Sequence, residues 1–110
     1  MADVIKVLGQ ADPAATTTTV LYTVPNLNLT TCSSLVICNR NSGSHVDVRV
    51  SVHVNDATAD DKQFIFYDKQ IDANDTYAAI LGITLNQNDV IKVYASGTGV
   101  SFNLFGVETS

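Results

Sequence analysis

His45-Val46-Asp47-Val48-Arg49-Val50-Ser51-Val52-His53-Val54 places a valine at every second position and a polar residue at each position between. Successive side chains of an extended chain point to opposite faces, so this run reads as a strand with one all-valine face and one polar face. A helix would scatter the same valines around its circumference. One face is therefore buried while the other meets water or a partner, as in the antiparallel sheets of sandwiches.

The segments around it follow the same grammar. Asn41-Ser42-Gly43-Ser44 reverses the chain ahead of the valine strand, and it predicts a hairpin with a strand over about 29–39. Asn55 to Asp61 is an acidic loop leading to Phe64-Ile65-Phe66-Tyr67-Asp68. Asp72-Ala73-Asn74-Asp75 turns into Thr76 to Leu81, read as strand because β segments flank it. Val90 to Ala95 follows, and Ser96-Gly97-Thr98-Gly99 predicts a last hairpin into Val100 to Val107. No stretch of ten or more residues carries a helical apolar period. The expected fold is all-β: a two-layer antiparallel β-sandwich of seven or eight strands, in jelly-roll or immunoglobulin-like order.

The first 19 residues read differently. Asp3 to Leu8 is extended, Gly9 to Ala15 is a linker with a proline, and Thr16 to Thr19 favour extension without offering a core. Residues 1–19 therefore read as an N-terminal arm lying on a neighbouring subunit, or as a terminal edge strand of the domain itself. Residues 20–110 form the sandwich.

At 110 residues with 45% hydrophobic content, the chain is one domain that buries its own core. Its net charge is −5, and the six Lys and Arg are spread singly, which argues against nucleic acid and acidic membranes as partners. The apolar runs are far shorter than the roughly 20 residues of a membrane helix. Met1 to Lys6 has none of the features of a secretory signal, so the expected site of synthesis is a cytosol. Cys32 and Cys38 are six apart, on one face of one strand about 20 Å from each other, and read as two buried free thiols.

No catalytic, cofactor or metal site is expected. His45 and His53 share the polar face of the valine strand but stand roughly 27 Å apart, and both read as exposed. Asn55, Asp56, Asp60 and Asp61 lack the glycine and glutamate of a calcium loop. Neither a nucleophile elbow nor a phosphate-cradling glycine loop occurs.

Several stretches resemble a family of small virion structural proteins from tailed bacteriophages: Leu21-Tyr22-Thr23-Val24-Pro25, Ser33-Ser34-Leu35-Val36-Ile37-Cys38-Asn39-Arg40 and Tyr67-Asp68. The others are Ala73-Asn74-Asp75-Thr76, Leu81-Gly82-Ile83-Thr84-Leu85 and Ser101-Phe102-Asn103-Leu104-Phe105-Gly106. The resemblance implies a virion component assembled in the host cytoplasm. Its leading form is a capsid decoration (cement) protein, a homotrimer bridging copies of the major capsid protein on the capsid surface. A neck, tail or baseplate appendage that binds glycans is the alternative. The residues expected at its contacts are Val4, Ile5, Val7, Leu8, Thr17 and Thr19 of the arm, with Tyr67 and Tyr77 as interface aromatics.

Overall fold

Val46, Val48 and Val50 line the core of the computed structural model, which describes residues 2–110. Eight strands run in chain order: β1 (Asp3–Ala11), β2 (Thr19–Thr23), β3 (Leu29–Asn39), β4 (Val46–His53), β5 (Phe64–Ile71), β6 (Thr76–Leu85), β7 (Val90–Ala95) and β8 (Val100–Thr109). Two short 3-10 turns, Val54–Asp56 and Asp61–Gln63, lie in the β4–β5 loop.

The first sheet has the order β1-β8-β3-β6 and the second β2-β7-β4-β5, with every neighbour antiparallel. β1 pairs with β8, β2 with β7, β3 with β6 and β4 with β5, so the chain is one long nested hairpin folded over on itself. That order is a jelly roll, which settles the choice left open by the sequence. Only β4 and β5 form a local hairpin. The two glycine turns expected to close hairpins instead carry the chain between layers: β3 and β4 lie in different sheets, as do β7 and β8. Turn chemistry specifies a reversal of direction; the burial of both flanking strands decides which layer each joins.

Inward residues of the first sheet (Cys32, Leu35, Ile37, Val100, Phe102, Leu104) meet Val46, Val48, Val50, Ile91, Val93 and Ala95 of the second. Asn39 is buried among them. Its side-chain amide donates to the carbonyls of Ser44 and Ile71, and its carbonyl accepts from the Asn41 backbone. It thereby ties the layer crossing to the end of β5. Every buried polar side-chain atom among the described residues has a partner, as a well-formed interior requires.

The segment read as an arm is an edge strand in its first half. β1 pairs with β8 from Asp3↔Thr109 to Ala11↔Phe102, with a bulge at Leu8, which turns inward and is buried. Backbone pairing along the β8 edge and the burial of Leu8 hold the strand there, while Val4, Ile5 and Val7 stay exposed. Residues 12–18 then connect the two layers.

An extra residue at Ser33 shifts β3 by one against β8, and one at Leu81-Gly82 of β6 shifts the register on its other side, so Cys32 faces the core while Cys38 is half-buried on the outer side. The two free thiols thus lie on opposite faces, not on one as the unbroken alternation predicts. Burial pushes the Cys32 thiol from its ordinary 9.0 to about 11. Tyr22, inserted from β2, has its hydroxyl 2.8 Å from Thr30 Oγ1 and donates to Glu108. Burial, and then the bond to Glu108, push its pKa well above the ordinary tyrosine value of 10.0.

Both acids hold their protons more tightly in the folded state. The stability they contribute is whole below about pH 9 and is lost as the pH climbs through 9 to 11 and beyond. Urea titrations are expected to show a midpoint that is flat from pH 7 to 8 and falls steadily from pH 9 to 11. Cys32→Ala with Tyr22→Phe is expected to flatten that fall.

Candidate interaction surfaces

The valine strand presents Asp47, Arg49, Ser51 and His53 on the outer face of the second sheet. Arg49 lies opposite Tyr94 of β7, and Ser51 opposite Lys92. β5 carries an extra residue at Tyr67-Asp68, where Asp68 takes φ +52°, a conformation short polar side chains tolerate. The bulge swings both residues over Arg49. Its guanidinium bonds Asp68 at 2.6 and 3.3 Å and lies 4.4 Å from the ring centre of Tyr67 and 4.7 Å from that of Tyr94. Phe64 meets Tyr67 edge to face. The result is a rigid cluster held by cation–π and charge-assisted contacts.

His53 corrects the reading of an exposed histidine, because only 2% of it is accessible. Asn55 and Asp56 both adopt positive φ, which ends the strand and leaves Val54 68% exposed instead of continuing the valine face. The loop then folds back over His53. Nδ1 lies 2.9 Å from the Ala57 carbonyl, which only accepts, so Nδ1 carries the proton and Nε2 accepts from Ser51 Oγ at 2.8 Å. Asp60 and Gln63 cap the second short turn reciprocally, and Gln63 Nε2 donates to Thr58. The sequence did hold a signal for this pair, since Ser51 and His53 are two apart and share a face. His53→Ala is expected to destabilise the fold by about 1–3 kcal/mol and to make the 54–63 loop the first site of proteolytic cleavage, read by urea midpoint and limited digestion.

Between this loop and β2 lies a groove of about 380 Å³, with Thr18, Ser51, Lys92 and Tyr94 among its walls. Ser51 is committed to His53, while Lys92 pairs loosely with Asp56 at 3.5 Å. Among the described residues no group of three His, Cys, Asp or Glu is placed to hold a metal ion, and no helix is long and apolar enough to cross a membrane.

The residues expected at contacts are scattered. Val4, Ile5 and Val7 are exposed on β1, whereas Leu8 belongs to the core. Thr17 is exposed in the layer crossing, and Thr19 is half-buried at the start of β2. Tyr67, 60% exposed, belongs to the Arg49 cluster. Tyr77 sits on the inward side of β6, edge-on to Phe66 at 5.9 Å and beneath the Lys69 amine. No two of the groups — β1, the threonines, the tyrosines — form one continuous site.

No protein-family model matches the chain, and no curated protein sequence matches it. Solved structures do. A chain of the T13 particle of infectious bursal disease virus superposes with a TM-score of 0.53 over 97% of this chain, at 10% identity. A chain from the Gx strain of the same virus gives 0.52 over 97%, at 14% identity. The likeness is one of fold. This chain spans about three tenths of the length of those two, 29% and 30%.

Proposed function

We propose that this chain is a small virion structural protein, a decoration subunit that stabilises a tailed-phage head by bridging neighbouring capsid subunits. The observation that carries the reading is the strand order. An eight-stranded jelly roll occupies nearly the whole chain, and this architecture recurs in viral shell proteins. Its likeness to chains of a virus particle and the sequence resemblance to phage virion proteins point the same way. A non-enzymatic role suits the best-formed polar pair, Ser51 and His53, which anchors a loop.

Adding purified chain to particles prepared without it tests the proposal. Saturable co-sedimentation, with greater resistance of the loaded heads to heating, is expected. Absence of the chain from purified particles by mass spectrometry, together with no co-sedimentation, would overturn it. A glycan-binding appendage on the neck or tail is the second reading, favoured by the groove bearing Thr18, Lys92 and Tyr94. Binding on a glycan panel that Lys92→Ala and Tyr94→Ala abolish, with no attachment to tailless heads, would select it.

A further inference from the structure

The two outer faces of the sandwich differ sharply in charge. That of the second sheet bears Asp47, Arg49 and Lys92, with Asp68 bound across Arg49. On the first sheet, side chains of β8, β3 and β6 that point away from the core are Ser, Thr, Asn, Cys, Ala, Val, Leu, Phe and Ile. Of the chain's 17 charged residues, Asp3 lies on that face at one corner, and the Arg40–Asp12 ion pair lies at its opposite end, where Arg40 Nε donates to the outward Ser101 at 2.9 Å. Lys6 and Glu108 pair with each other on the opposite side of their strands.

The same face carries an apolar patch. Register places Val7, Phe105, Ser34 and Ile80 in one row across the four strands, with Ile5 and Val107 in the next. Ile80 is 94% exposed and Ile5 85%. Phe105 and Val107 break the alternation of β8 by putting apolar side chains on its outer side, which core packing does not require. Phe105 and Val107 on β8 stand beside Val7 and Ile5 of β1, Ile80 stands on the far edge on β6, and Thr31, Ser33 and Ser34 leave a low centre on β3 between them.

We infer that this face, apolar and uncharged at its centre, is where two copies of the chain pair, sheet against sheet. This rests on the virion reading above and deepens it by naming one partner. The net charge of −5 selects the surface, because two acidic copies meet with least repulsion where the centre of each face is uncharged and its ends hold only one carboxylate and a neutralised ion pair. The low centre accepts the flank of the opposing copy, so Ile80 of each seats over the serines of the other. An eleven-residue strand and three strand spacings give a face of roughly 540 Å², about two thirds of the ~800 Å² per partner of a standard interface. A flat face meeting its own copy closes with twofold symmetry. The assembling unit is then a pair, whereas the trimer anticipated from the sequence needs two different contact surfaces on each copy.

Sedimentation equilibrium of the full chain, from 1 to 200 μM, tests this, with Ile80→Asp and Ile65→Asp as companions. Both substitutions sit at exposed positions, and circular dichroism checks that each variant is folded. Wild type and Ile65→Asp are expected to dimerise, and Ile80→Asp to weaken the dimer at least 30-fold. A wild-type monomer at 200 μM would overturn the inference, as would a dimer that Ile80→Asp leaves intact. The outcomes separate the two proposals: a monomer that still decorates particles defeats the pairing alone. A dimer that Ile80→Asp disrupts, in a chain absent from particles, defeats the virion role alone.

Discussion

Gly106→Val is expected to prevent the chain from folding. Gly106 faces inward in β8 opposite Cys32 of β3, beside the bulge at Ser33. A Cβ there would fall on the Thr31 carbonyl oxygen, with Leu8 Cδ1 at 2.9 Å and Cys32 Cα at 3.1 Å. Two of the three obstacles are backbone atoms, so no rotamer change relieves the clash. β8 is the strand to which β1 and β3 both attach, and pushing it away from β3 breaks the first sheet through its middle. The loss is expected to exceed ~4 kcal/mol, against a total stability of about 5–15 kcal/mol for a domain. Expression in inclusion bodies, or a soluble product without a cooperative urea transition, is the predicted outcome. A soluble variant with a midpoint near wild type would contradict the close approach described for these strands.

Deleting residues 1–11 is the second large effect. A detachable arm would leave the sandwich intact when removed. As an edge strand, the segment carries Leu8 into the core and covers the β8 edge from Phe102 to Thr109. Gly9 also passes against the Leu21 carbonyl so closely that only a glycine fits, which locks β1 onto β2 where the two layers converge. Losing Leu8 alone is worth about 2–5 kcal/mol, and the bared strand becomes a template for aggregation. The truncated chain is expected to melt at least 15 °C lower and to aggregate on heating. A truncated chain with the wild-type melting temperature would restore the arm reading. The same result warns that loss of particle binding on truncation would report unfolding, not loss of a grip.

The all-β class was legible because alternation is a local signal. Val46, Val48 and Val50 fall where period two puts them, and Phe102 and Leu104 do the same in β8. Strand order was not legible. In this jelly roll three of the four hairpin pairs join strands distant in sequence, and nothing local at Ser42-Gly43 or Gly97 says whether a reversal stays within a sheet or crosses to the other layer. Bulges account for most of the remaining differences. One residue inserted at Ser33 separates the faces of the two cysteines, and one at Tyr67-Asp68 builds the Arg49 cluster. His53 looked exposed because alternation assigns faces but does not foresee a loop folding back over one of them. The apolar centre of the first sheet's outer face was present in the sequence but spread over four distant segments, so only the register assembles it.

Averaged electron cryo-microscopy images of purified particles, with the eight-stranded sandwich fitted to the density, address the virion role most directly. The expected result is copies of this jelly roll on the outer shell of the head, seated across the junctions between capsid subunits. Shell density fully accounted for without it, in particles whose capsid is complete and stable, would contradict the account.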